Sequence, residues 1–492
     1  MKFAARGGRL CFFALFALAK VLQAENGAPE ALRQLIETTW RCNAEAEAAR
    51  YRVREAAAVR RGTEGFRDPR LMVNTGYAER DPLLPALPAG FAWLDDTAWG
   101  ESGLEAAFPP GFHAGIGAAL RREQENGSGT GESRASAIGA QVRIPLARDR
   151  GFALWHADRS IADEGMREAV AVFIRTLQDL RRDVELHYVD LQHAHAQSAV
   201  SRAATERAER LLSDAEQMAQ LGIIPVYQLY PARLEAARRH EEEVAAERGV
   251  RTARRRLVEI LGTEDCPAGT DAPVDLIEWA RSAAPPTVAG REEASALLRG
   301  DVQAARAAVA AEEAHLRRSR EEERSDLSLH AVAGWRDEEF DSALDADGDR
   351  REPWAVGLTW RKTLGDRAAR ARTDEARARL AARKEQLHGL ERQASADLDV
   401  FRGDFEAARN RLDLMGEAVA TARDAVTAES ERFQLGEGTS RQALDAQKDL
   451  TDAVRRRNDI AAELLRAESR WRHAAGEGLL DFPDHAADDK RP

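Results

Sequence analysis

The residues best placed to do chemistry are three histidines, His187, His193 and His195, in "VELHYVDLQHAHAQ". Imidazoles are common metal ligands, but side chains two apart on a helix point to different faces. The spacing therefore fits solvated or interhelical histidines better than a metal site. No phosphate-cradling glycine loop, nucleophile elbow or zinc-spaced Cys/His set occurs, so the chain offers no residues for an enzyme and implies no cofactor. A second unusual stretch is "RFQLGEGTSRQALDAQKDL", Arg432 to Leu450, where Gly436, Gly438, Thr439 and Ser440 break a proline-free, Ala-, Glu- and Arg-rich run.

The elements that position these residues follow from composition and periodicity. The chain has 492 residues, 32% of them charged, 43% hydrophobic and 6% aromatic. Frequent alanine with few aromatics favours long helices packed through small side chains. The opening residues place Lys2, Arg6 and Arg9 before an apolar run from Leu10 to Leu18 and small residues up to Ala24, the pattern of a secretory signal over residues 1–24. Cys11 lies inside that run and not after a lipobox. Removing the signal, with its four basic and no acidic residues, takes the net charge from −12 to −16 and argues against a nucleic-acid partner. Cys42 and Cys266 remain, either as a disulfide or as two inert thiols.

The chain repeats itself. "QLGIIPVYQLYPARLEAARRHEEEVAAERGVRTARRRLVEILG" overlays "QLGEGTSRQALDAQKDLTDAVRRRNDIAAELLRAESRWRHAAG" without a gap at an offset of 214 residues, with Gly222 on Gly436, Gln228 on Gln442 and Gly262 on Gly476. Upstream of each copy the same order recurs: helix, strand, strand, long helix, turn, shorter helix. The boundaries read as a first repeat over 25–262, a connector over 263–292, a second repeat over 293–476 and a disordered tail over 477–492.

Proline-free stretches from Phe152 to Leu221 and from Asp366 to Leu435 predict two helices of about 70 residues, each ~105 Å long. The strands alternate. Trp354, Val356, Leu358 and Trp360 share one face, as do Leu327, Leu329, Ala331, Ala333 and Trp335, and Ile138, Ala140, Val142, Ile144 and Leu146. Trp at the ends of an apolar face marks the lipid–water interfaces of transmembrane strands, although a soluble sheet packed on a helix alternates in the same way. In the first half a strand over Arg70 to Arg80 includes Tyr77. The residues between it and the strand at 135–146 read as a long loop or an extra hairpin.

With these features in view, the sequence resembles the outer-membrane efflux protein (TolC) family. The likeness rests on the two "QLG" hairpins and on "RFQLGEGTSRQALDAQKDL", which is similar to the family's Tyr/Phe-x-x-Gly-x-x-Ser/Thr-x-x-Asp-x-Leu-Asp-Ala-Gln. "RCNAEAEAARYRV" and "IPLARDRGF" are similar to its Asn-Pro-Glu-Leu-x-x-Ala and Pro-Leu-x-x-Gly-x-Gly. The resemblance implies a mainly α fold: long antiparallel hairpins form a periplasmic tunnel that continues into a β-barrel shared by a homotrimer, with four strands per protomer and twelve in all. It implies a passive outer-membrane duct in a tripartite efflux or export system, with a periplasmic adaptor (membrane fusion) protein, an inner-membrane pump and outer-membrane lipid as partners. A type I protein-secretion channel has the same fold, and a periplasmic coiled-coil scaffold is the alternative of another class.

On this resemblance Gly222, Gly436, Gly438, Thr439 and Ser440 form tip turns where the adaptor docks. Asp445 matches an aspartate lining the tunnel entrance; otherwise it is a solvated helix residue, paired for example with Lys448. Gln442 stands where a second aspartate is common, Gln228 is its first-half equivalent, and Phe433 stands where a gate tyrosine can sit. Trp335, Trp354, Trp360 and Tyr77 are the expected aromatic girdle.

Overall fold

A computed structural model describes residues 29–78, 97–109, 111–125, 131–263, 269–285, 298–341, 349–435 and 437–476. The signal, the tail, Gly436 and Cys266 lie outside the described residues. Cys42 is exposed. In chain order the elements are α1 (Glu30–Cys42), α2 (Ala44–Gly62), β1 (Arg70–Ala78), β2 (Thr97–Phe108), β3 (Phe112–Glu125), β4 (Gly131–Pro145), α3 (Ala153–Gln220), α4 (Leu229–Leu261) and α5 (Leu276–Ser282). They continue with α6 (Gly300–Glu322), β5 (Asp326–Asp341), β6 (Asp349–Arg351), β7 (Trp354–Arg361), α7 (Arg367–Gln434) and α8 (Ser440–Ala474). The two long helices are continuous, 68 residues each.

Two compact units divide the chain, one from Met1–Val53, Ala169–Ala305 and Leu387–Pro492, the other from Arg54–Glu168 and Arg306–Gln386. Each unit draws on both sequence halves. In the first, Leu35, Val184, Tyr188, Leu257, Leu261 and Leu464 are almost wholly buried, so the core is made of leucines between alanine-rich helices. Trp40 donates its indole N–H to the Leu177 carbonyl (3.2 Å). Gly262 ends α4 at φ +70°, and a Cβ there would come within 2.9 Å of the Cys42 carbonyl oxygen. Only glycine lets that helix end seat against the α1–α2 junction. Asn43 completes the seat by donating to the Ile260 carbonyl (2.8 Å).

Several buried polar groups of this unit are paired across elements, which offsets the cost of burying them. Gln192 donates to the Ala272 carbonyl and accepts from the Val274 amide, tying down the approach to α5, which Asp275 caps. Arg299 holds Asp301 and Asp397 at 2.8 and 3.0 Å, and Arg175 links Asp301 to Asp179.

The second unit carries an antiparallel meander in the order β1-β2-β3-β4-β5, with β6 and β7 both pairing with β5 as two pieces of one strand. The expected alternation of β4, β5 and β7 is present in register: Ile138 lies opposite Trp335, Val142 opposite Ala331, Leu329 opposite Leu358, and Leu327 opposite Trp360. The strand number differs from the four that the resemblance implies. Residues 97–125 form a full hairpin, β2–β3, giving six strand positions along the sheet.

The hairpin is built into the strand-to-helix junction. His113 at its base stacks edge-on against Phe66 and Phe152, at 5.9 and 5.3 Å between ring centroids. Trp155 donates to the Thr63 carbonyl (2.7 Å). Gly111 lies so close to Gly151, within the "IPLARDRGF" stretch, that a Cβ on it would sit 2.5 Å from the Gly151 Cα.

Candidate functional site

The tip of the first unit is built from two helix reversals. At the end of α3, Gly222 adopts φ +71° while its amide bonds the Ala219 carbonyl and the Ile223 amide bonds the Met218 carbonyl. This is a Schellman stop, which places the next residue, Ile224, back on the helix flank. At the end of α7 the amides of Glu437 and Gly438 both reach the Arg432 carbonyl (2.9 and 3.1 Å). Thr439 then caps α8 with a reciprocal box: its amide donates to Gln442 Oε1 (2.9 Å) and its Oγ1 accepts from the Gln442 amide (3.4 Å). The two reversals touch where the buried Ser440 hydroxyl donates to the Gln228 carbonyl (3.1 Å).

Beneath them lies a small core. Phe433, 1% exposed, packs with Leu211, Ala215, Met218, Ile224, Leu229 and Ala443. Phe433, one of the expected gate candidates, is the central apolar contact of the tip. Gln442 is likewise committed, its carbonyl to the cap. Asp445, three residues further along α8, is exposed and makes no ion pair among the described residues, so the Lys448 pairing is not formed. Gln228 Oε1 is buried with no partner among the described residues.

The tip also carries apolar groups that the sequence reading did not single out. Leu221, Ile223, Tyr227 and Leu435 are 75, 56, 66 and 74% exposed. The signal was present in "LGIIPVYQLY", an apolar run across a helix break.

The sheet has two chemically distinct faces. One collects Leu71, Val73, Tyr77, Leu104, Ile116, Ile138, Trp335, Trp354, Val356, Leu358 and Trp360. All four residues of the expected girdle are on it, and every one of these side chains is more than 40% exposed. The face is bare, so the reading of a soluble sheet covered by a helix does not apply. The other face carries Asn74, Glu101, Glu105, His113, Arg121, Gln141, Arg143, His330 and Arg336. Across it Gly103, Gly117, Gly139 and Gly334 stand directly opposite one another on four adjacent strands. A Cβ at Gly334 would lie 2.4 Å from the Ile138 carbonyl oxygen, so backbones meet too closely there for any side chain. Glycine rows of this kind let a sheet curl toward the glycine side.

The three histidines belong to the first unit, on α3. His193 Nε2 lies within hydrogen-bond distance of Asp459 Oδ1 (2.7 Å), and burial pushes the His195 imidazole down despite Asp271. Among the described residues no group of three or more His, Cys, Asp or Glu side chains could hold a metal ion.

No family model and no curated protein matches the sequence. Solved structures do match. The outer-membrane channel OprN is 18% identical, with a TM-score of 0.64 over 92% of this chain and 91% of its own. CusC, whose structures concern transmembrane channel formation, is 16% identical, with a TM-score of 0.66 over 92% and 93%. The outer membrane protein VceC from Vibrio cholerae is 17% identical, with a TM-score of 0.64 over 91% and 96%. The chain has the fold of these channels over nearly its whole length.

Proposed function

We propose that this protein is the outer-membrane channel of a tripartite efflux or export system. It is a homotrimeric, passive duct that works with an inner-membrane transporter and a periplasmic adaptor. The observation that carries the reading is the sheet with one bare apolar face and one polar face. In water each large apolar side chain left exposed forgoes about 1.5–3 kcal/mol of burial, so a face of this extent is stable only against lipid. Lipid in turn requires every strand to be paired, hence a closed barrel. Tyr77, Trp335, Trp354 and Trp360 then hold the sheet at the lipid–water boundaries. The shared fold supports the same reading.

At the tips, the exposed Leu221, Ile223, Tyr227 and Leu435 supply the apolar surface an adaptor would cover. Asp445, exposed and without an ion pair among the described residues, is the gate carboxylate of this reading. Three copies related by a threefold axis concentrate negative potential at the entrance and attract cations. Energy for transport comes from the inner-membrane partner.

The test is reconstitution into planar bilayers of a heat-sensitive trimer extracted from outer membrane with detergent. The wild type is expected to form a cation-preferring pore, and in Asp445→Ala the cation-to-anion permeability ratio is expected to fall toward unity with thermal stability unchanged. No pore in either protein refutes the channel reading.

A further inference from the structure

Among the described residues β1 and the strand formed by β6 and β7 each have a neighbouring strand on one side only. Soluble proteins protect such edges with a central charge, a proline or a bulge. On the β7 side the charges of β6 and Pro353 stand at one end, but within the strands none of these is present: the interior of β1 reads Leu-Met-Val-Asn-Thr-Gly-Tyr and that of β7 Ala-Val-Gly-Leu-Thr-Trp. Their side chains are among the most exposed of the sheet, Leu71 at 73% and Leu358 at 67%. β1 and β7 are 9 and 8 residues long and, because an even number of antiparallel positions separates them, they run in opposite directions. Laying β7 of one copy against β1 of another therefore continues the antiparallel pattern and keeps apolar residues on one face.

We infer that three copies of this chain close edge to edge, β7 on β1, into a barrel of eighteen strands, with β2–β3 as the segment that widens it beyond twelve. This rests on the trimeric channel reading. The hairpin is integral, since its base is locked by the His113 stacking and the Gly111–Gly151 contact, β2 pairs with β1 over Thr97–Glu105 and β3 with β4 over His113–Glu125. With strands ~4.8 Å apart and tilted ~40°, eighteen enclose a circle roughly 36 Å across between backbones, against roughly 24 Å for twelve. The polar face does little to refill that space at mid-height, where it carries Gly103, Gly117, Ala119, Ala137, Gly139 and Gly334.

The test joins neighbouring copies covalently and sizes the opening. In the full chain carrying Cys42→Ser and Cys266→Ser, Asn74→Cys is combined in turn with Ala355→Cys, Gly357→Cys or Thr359→Cys, all polar-face positions. At least one combination is expected to give an oxidised ladder ending at the trimer. Absence of a ladder in all three, while the heat-sensitive trimer persists, overturns the inference, as does a twofold assembly seen by electron microscopy. The opening is sized from the outer side by exclusion of neutral polyethylene glycols. Deleting residues 97–125 is expected to lower the excluded polymer radius by about a third, and an unchanged radius overturns the role of the hairpin. Should the deletion not fold, the ladder in the full chain decides. Cross-links without any pore would instead sink the channel reading and leave the barrel standing.

Discussion

Phe433 sits at the centre of the tip, and its neighbours are few, so the loss of its ring has little to fill it. Phe433→Ala is expected to cost about 3–5 kcal/mol locally. It should appear as faster hydrogen exchange and protease cleavage near Gly222 and Gly438, with the leucine core of the first unit unaffected; protection equal to wild type would show that the cluster does not hold the tip. At this scale the sequence was only partly legible. The stops at Gly222 and Gly438 and the Thr439 cap were written in residue type. The inward turn of Phe433 was not, because an aromatic beside a helix end can face either the core or the solvent until the returning helix is in place. Gln442 shows the same limit: its spacing from Thr439 allowed both a cap and a gate.

The elements were legible in proportion to their side-chain contrast. β7 alternates Trp, Val, Leu and Trp with small or polar residues, and its face could be assigned from the sequence alone. β2 and β3 carry Gly100, Gly103, Gly115 and Gly117 among alanines, which blunts the alternation and left a loop and a hairpin equally open. A pair of variants tests the face assignment. Val356→Arg puts a cation on the apolar face and is expected to cost about 2–4 kcal/mol near the bilayer midplane, lowering the yield of membrane-inserted trimer. Ala355→Arg, one residue away on the polar face, is expected to insert normally. Equal yields would mean that the face does not meet lipid. The long helices were the most legible elements, since 68 residues without proline leave no other regular structure.

For the molecule as a whole, cohesion depends on charge as well as on leucine. Burial alone would raise Asp179, Asp301 and Glu242. Their partners outweigh it: His473 with Arg175 and Arg182, Arg299 with Arg175, and Arg455 with Arg239 hold the three carboxyls below the usual carboxylate range. A folded value below the unfolded one gives stability that is complete above the unfolded pKa of about 4 and is lost as pH falls through the folded one. Thermal stability should therefore drop below about pH 4. Arg299→Gln is expected to cost about 2 kcal/mol at neutral pH, less than a fully buried pair because Asp301 and Asp397 keep some water, and to flatten the acid limb of a melting-temperature series. An unchanged acid limb would remove this cluster from the account. The long-range partners were not legible in the sequence, since Arg299 and Asp397, Arg455 and Glu242, and His473 and Asp179 meet only once their helices are packed. The glycine row has a consequence for discrimination among solutes. In the proposed pore, whatever passes the level of Gly103, Gly117, Gly139 and Gly334 meets peptide backbone, a surface with no charge to sort by and no ring to stack on, so the choice of cargo falls to the ends of the path.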